Sequence, residues 1–309
     1  MKILLIYYTG TYNTKYLTEM LKKSLIEKGH KVVNVQVEKD TPTVSTDGYD
    51  FIGFGYPIYA FNSPQMFNGY VKKLKFAKGQ KFFIYKQSGE TYKVNNASSR
   101  TLKKIIRRSK GELVAEQHFM FPYNIHFRMD DNFVKQELYY DAKLLKVLVY
   151  EIENNLKDII SSNAFYNIHS FILSIQKPGA HINGLFYRVD KKKCTKCGQC
   201  VRDCPAHNIT VKKDKIHFST HCQMCMRCTI SCPHDAIKMG MFNGWKVNGR
   251  YHLDRIKEDS SLDGEYIKGG EKGFYKCFKP SFDQIDEKYE LIFGKSETSE
   301  TNTEKQLIQ

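Results

Sequence analysis

One cysteine pattern, present twice, constrains this chain more than any other feature. Cys194, Cys197, Cys200 and Cys204 are followed by Pro205, and Cys222, Cys225, Cys228 and Cys232 by Pro233. Each copy reads C-x2-C-x2-C-x3-C-P. Thiolates at such short spacing can converge on a metal group only if the backbone between them turns tightly. A zinc ribbon needs four ligands per metal and has no use for a third cysteine in each run. A disulfide framework suits a short secreted chain, and no signal-peptide pattern opens this one. Asn208-Ile209 and Ala236-Ile237 stand at matching distances behind the two runs. A pseudo-twofold unit is therefore expected, with an apolar residue on each side to keep water out.

The pattern resembles the bacterial two-cluster ferredoxin signature. That resemblance implies two [4Fe–4S] clusters, each taking three cysteines from one run and the fourth from the other. The implied sets are Cys194, Cys197, Cys200 and Cys232 for the first cluster, and Cys222, Cys225, Cys228 and Cys204 for the second. His221 and His234 adjoin the cysteines and could donate to a cluster sulfur, although a solvated side chain is the commoner role for such a residue. The same holds for His207. Cys277, the ninth cysteine, reads as a plain side chain.

The first part of the chain has a different grammar. Lys2 to Tyr8 is a nearly continuous apolar run, typical of a parallel strand buried on both faces. It stops at Thr9-Gly10-Thr11-Tyr12-Asn13-Thr14. An amphipathic helix follows, carried by Leu17, Met20, Leu21 and Leu25 and closed at Gly29. A second strand spans Lys31 to Val37, which makes a βαβ opening. Further strands are expected at Asp50–Tyr59, Lys81–Tyr85 and Leu113–Phe121. Helices are expected at Ser98–Lys110 and Phe133–Leu156. The hydroxyls and N–H groups of Thr9 to Thr14, at a helix N-terminus, suit a phosphate, whereas a bare helix cap at Asn13 or Thr14 is the plainer reading. The loop has neither the G-x-G-x-x-G fingerprint nor a Gly-Lys-Ser/Thr string.

That loop is similar to the phosphate loop of flavodoxins, with Tyr12 where that family often has glycine. The similarity implies FMN, held by Thr9, Gly10, Thr11, Tyr12, Asn13 and Thr14. Further contacts are implied from Tyr56, Pro57, Ile58 and Tyr59 after the third strand and from Ser88 and Gly89 after the fourth. It also implies an α/β doubly wound parallel sheet of order 2-1-3-4-5, with the ligand at its switch point. His126, in the loop Pro122–Met129, could face the flavin or serve as a surface group.

Together these parts resemble the fused flavodoxin–ferredoxin proteins of anaerobic bacteria and archaea over about residues 1–255. Gly55-Tyr56-Pro57-Ile58-Tyr59, Met120-Phe121-Pro122-Tyr123-Asn124 and Gly249-Arg250-Tyr251-His252 add to the likeness. The implied role is low-potential electron transfer. Two forms of it stand open: a carrier between clusters and FMN, or an FMN-dependent reductase of a small acceptor fed by its own clusters. No catalytic residue pair stands out.

The expected organisation is a flavodoxin-like FMN-binding domain at 1–162, a joint at 163–188 that carries an amphipathic run, Phe165 to Ile175, and packs between the domains, and a small α+β 2[4Fe–4S] ferredoxin domain at 189–240. A C-terminal extension at 241–294 follows, apolar enough at Trp245, Arg250–His252 and Phe274–Phe282 to dock, and then a polar, disordered tail at 295–309. Apolar residues make up 41% of the 309, enough for a core, and no run reaches the length of a membrane span. A cytoplasmic, reducing location is expected. The net charge of +15 is unusual for a ferredoxin-like module. Between Asp190 and Gly240 ten Lys/Arg face four Asp, a balance of +6 that would offset cluster charge or steer a redox partner with an acidic surface. Nucleic acid is not expected, because no recognition motif accompanies the charge.

Overall fold

The computed structural model describes residues 1–174, 176–247 and 249–294; the tail expected at 295–309 and the end of the Phe165–Ile175 run lie outside them. Five parallel strands, β1 (Lys2–Tyr7), β2 (Lys31–Gln36), β3 (Phe51–Pro57), β4 (Lys81–Ser88) and β5 (Glu112–Met120), form one sheet in the order β2-β1-β3-β4-β5. This is the expected 2-1-3-4-5 order. β3 is buried throughout, and β1 and β4 are buried at all but one position, because helices cover both faces. Gly55 is required where it stands in β3: a side chain there would run into the Tyr85 ring of β4.

α1 (Asn13–Glu27) buries Leu17, Leu21 and Leu25 against one face, and Gly29 leaves it at φ +83°. α4 (Asp131–Glu153) lies on the same face and starts on Asp130, whose carboxylate accepts from Asn132 N–H. α2 (Gln65–Val71) and α3 (Arg100–Arg108) cover the other face, over a core rich in Phe54, Tyr56, Phe67 and Phe82. The helix expected from Ser98 starts instead as a 3₁₀ turn at Lys93–Ser99, because Lys86 reaches across from β4 to bond Asn95 and Asn96 carbonyls there.

α5 (Ala164–Leu173) and α6 (Gln176–Leu185) connect the sheet to the cysteine runs. The cysteine unit is closed by a short antiparallel pair, β6 (Arg188–Val189) with β9 (Ile237–Lys238). Inside it lie a hairpin, β7 (Ile209–Lys212) and β8 (Lys215–Phe218), and two single-turn helices, α7 (Gln199–Arg202) and α8 (Arg227–Ile230). Lys213 and Asp214 both sit at positive φ, as a two-residue hairpin turn demands. Beyond it, α9 (Leu253–Glu258) and α10 (Phe278–Phe293) return to α4, where the Tyr140 and Phe282 rings stack at 4.0 Å. Residues 249–294 dock on the sheet half, as apolar content at Tyr251 and Phe274–Phe282 suggested: Tyr251, Phe278 and Phe282 belong to its core.

Candidate functional site

The two cysteine runs repeat each other in backbone as well as in sequence. Lys196, Gly198 and His207 of the first copy and Met224, Met226 and Asp235 of the second all take positive φ, at 58°, 74° and 47° against 47°, 63° and 47°. In each copy two main-chain N–H groups, one on the first of these residues and one on the residue after the third, turn to sulfur. Lys196 N donates to Cys194 Sγ and Met224 N to Cys222 Sγ, both at 3.4 Å. Asn208 N donates to Cys204 Sγ and Ala236 N to Cys232 Sγ, both at 3.3 Å. These donors favour sulfur in its anionic form.

Two cavities result. Cys194, Cys197, Cys200 and Cys232 line one, together with Val189, Ile216 and Ile237. Cys204, Cys222, Cys225 and Cys228 line the other, with Tyr187, Ile209 and Phe218. The fourth cysteine of each run has crossed to the other cavity. Ile209 and Ile237, singled out as shields, stand one in each lining. Four cysteines thus line each cavity. Without a metal group that space is a poor place for charge. Burial, followed by the neighbouring cysteines Cys232, Cys194 and Cys197, pushes the Cys200 thiol up to about 11. Burial pushes Cys222 up to about 12. A bound cation reverses that balance.

The histidines divide. His234 lines the first cavity. His221 turns to Ser219 Oγ, and His207 pairs with Asp40 at 2.7 Å. His126 faces the Trp245 and Tyr123 rings at 4.8 and 5.6 Å.

The second cavity sits on the end of the sheet. A side chain at Gly10 would run into the Tyr59 hydroxyl and come within 2.7 Å of the Cys225 carbonyl. Arg227, between Cys225 and Cys228, fastens the contact. Its Nε donates to Gly10 O at 2.7 Å and its Nη2 to Thr9 O at 2.6 Å. Its Nη1 reaches Glu38 Oε1 at 2.8 Å and Asp203 O at 3.0 Å. Nothing in the sequence distinguishes Arg227 from the other cations of the unit; the first run has Gln199 at the same place. Tyr8, the last apolar residue before the loop, is fully buried. Its hydroxyl finds no hydrogen-bond partner of good geometry among the described residues and faces Tyr59 and Cys225.

Thr9, Thr11, Asn13 and Thr14 are buried, and Tyr12 holds the left-handed conformation, φ +77°, where glycine would be at ease. Tyr12 is retained between two guanidinium groups, Arg250 at 4.2 Å and Arg227 at 5.2 Å from its ring. Thr14 Oγ1 accepts from Gln87, and Asn13 donates to Pro122 O. Thr9 Oγ1 is buried and finds no hydrogen-bond partner among the described residues. Beside the loop a polar cavity of about 250 Å³ is lined by Thr11, Tyr12, Asn13, Arg250, His252 and Arg255, among others. Tyr59 lies across Gly10, and Tyr123 packs on Gly89. Ile58 N bonds Gln87 O, tying the third-strand loop to the fourth, and Pro57 is the buried end of β3. Ser88 donates to Glu90 O and meets His118. Tyr56 stands apart: its ring packs 5.8 Å from Phe67 in the core, away from the loops.

Residues 193–237 match the 4Fe-4S dicluster domain. The chain therefore joins a flavodoxin-like sheet to an iron–sulfur domain, an architecture of electron transfer. No curated protein matches it. Several solved structures are similar to the sheet half. A short-chain flavodoxin associated with a non-canonical PDU bacterial microcompartment is 12% identical, with a TM-score of 0.38, covering 50% of this chain and 97% of that one. The flavodoxin of Streptococcus pneumoniae TIGR4 is 11% identical, with a TM-score of 0.37, over 50% of this chain and 100% of its own. Rubredoxin oxygen:oxidoreductase from the anaerobe Desulfovibrio gigas is 12% identical, with a TM-score of 0.38, over 50% and 35%. The flavodoxin-like character of the sheet stands on its own strand order. Among the described residues no helix is long and apolar enough to cross a membrane.

Proposed function

We infer that this chain is an iron–sulfur flavoprotein electron carrier, with a [4Fe–4S] cluster in each cysteine cavity and FMN at the ends of β1, β3 and β4. When bound, a [4Fe–4S] cube exchanges single electrons and FMN one or two. The observation that carries the reading is the exchange of Cys204 and Cys232 between cavities, with the second cavity seated on the β1 loop. Each cavity gathers four cysteines, three from one run and one from the other, which is the ligand set that two cubes sharing the two runs need.

Each residue set has a task in this reading. The main-chain donors at Lys196, Met224, Asn208 and Ala236 hold cysteine sulfur as thiolate. Ile209 and Ile237 exclude water. Arg227 fixes the second set against Thr9 and Gly10, so that no domain motion separates it from the loop. The unpartnered Thr9 hydroxyl and the charge of Arg250 and Arg255 suit the phosphate end of FMN. The ring end needs Tyr59 to swing off Gly10. Cys197 is the exposed cysteine, and the others are half-buried or buried. Electrons would therefore enter or leave beside Cys197, where Lys191 and Lys192 are exposed and suit a partner with an acidic surface.

Anaerobic purification with iron, sulfide and flavin analysis tests the reading. About eight iron and eight sulfide per chain are expected, with FMN bound after reconstitution. Zinc without sulfide overturns the cluster half, and wild-type protein that refuses FMN overturns the flavin half.

A further inference from the structure

Surface helices normally bury an apolar stripe and show water a polar one. α5 and α6 do the reverse. α5 is docked by its polar residues. Ser170, fully buried, donates to Phe61 O at 2.9 Å, and its carbonyl accepts from Asn62 Nδ2 at 3.0 Å; Arg100 bonds Asn167 O. The large side chains of that helix, Phe165, Ile168, Phe171 and Ile172, point outward at 60–67% exposure. α6 repeats the arrangement. Asn183, also fully buried, donates to Met239 O and accepts from Met241 N, and His181 bonds Thr220 O. Ile182 and Leu185, with Phe186 just past the helix end, face out at 46–55% exposure. Polar anchoring on the inside and Phe, Ile and Leu on the outside, in two successive helices, mark a surface built to be covered.

Charge says by what. From Ile159 to Val189 the sequence contains no acidic residue. Arg100 lies 5.7 Å from the Phe171 ring, and exposed Arg188 follows α6. A second copy would bring two chains of net charge +15 face to face, which opposes self-association through this surface. An anionic lipid surface accepts both features: acyl chains take the apolar side chains, and headgroups take the cations. Helices of ten residues are far too short to span a bilayer and must lie in its plane.

We propose that α5 and α6 form an in-plane foot that seats this protein on an anionic membrane surface. Gly184 of α6 lies so close to Cys222 that a side chain there would strike its Cβ. The foot therefore brings the second cysteine cavity next to the lipid, where a membrane-held redox partner would find it.

Cosedimentation of the full, iron-loaded chain with vesicles tests this. The chain binds vesicles of phosphatidylcholine mixed with phosphatidylglycerol, binds phosphatidylcholine alone more weakly, and loses affinity as added salt screens the headgroups. Replacing Phe165, Ile168, Phe171 and Ile172 together with Ser lowers binding by about tenfold or more, with iron content unchanged. If that variant misfolds, Ile168→Glu and Ile182→Glu, each a single exposed change, give the same loss. Binding that survives these substitutions overturns the proposal, as does wild-type protein that ignores anionic vesicles. Light scattering that shows a dimer dissolved by the same substitutions overturns it in favour of an interface between copies.

Discussion

Replacing Arg227 with Met should loosen the seam between the cysteine unit and the sheet more than any other single change. The Arg227 side chain is 4% exposed and makes four hydrogen bonds, three of them to the main-chain carbonyls of Thr9, Gly10 and Asp203. Methionine fills much of the volume but leaves those carbonyls unpaired, at roughly 1–3 kcal/mol each where water cannot reach them. Glu38 is about one-third exposed and recovers solvation, so its loss adds little. Partial relaxation reduces the sum, and a loss of about 3–5 kcal/mol is expected, the usual cost of breaking a buried charged network from one side. Lysine keeps the charge but not the planar fork, so Arg227→Lys should recover only part of it. Anaerobic denaturant titration of the iron-loaded chain reads the effect, followed by cluster absorbance and by the fluorescence of Trp245, the single tryptophan. A shift below about 1 kcal/mol for Arg227→Met, or full rescue by lysine, would refute the claim that this guanidinium holds the two halves together.

Cys204→Ala should remove the cluster whose other ligands are Cys222, Cys225 and Cys228, and spare the one beside it in sequence; spectroscopy showing the Cys194–Cys200 cluster lost instead would mean the sets are uncrossed. Tyr59→Ala should open the space over Gly10 and tighten FMN binding in a fluorescence-quenching titration, and unchanged or weaker affinity would show that Tyr59 does not gate the ring end. Glu151 is pushed up to about 7, by burial first and then by its neighbour Asp158. Its folded pKa thus lies above the unfolded value, and the folded state holds the extra proton. Stability should fall as pH rises from about 4.5 to 7, and Glu151→Gln should flatten that slope in unfolding midpoints taken across the window.

The parts of this molecule that were legible beforehand are those where local spacing dictates geometry. Three residues between Cys200 and Cys204, closed by a proline, leave the fourth thiol few directions. The chain's two copies of the run return the same left-handed positions and the same N–H to sulfur bonds. A continuous apolar run such as Lys2–Tyr8 can belong only to a strand covered on both sides, and the helix after Thr14 can lie only against it. What was not legible depends on contacts between distant segments. Arg227 is one cation among ten until the fold brings it to Thr9, 218 residues away.

The joint shows the limit most clearly. The periodicity of Phe165, Ile168, Phe171 and Ile172 describes a helix with one apolar stripe, and that much is observed. A stripe says only that two faces differ. Water is assumed to lie on the polar side because burying an amide or hydroxyl is costly. Here the cost is met residue by residue: Ser170 and Asn183 each find main-chain partners inside. The polar faces can therefore turn inward, the expected packing of the apolar run between the domains gives way to packing by its opposite face, and the apolar stripe is left facing out.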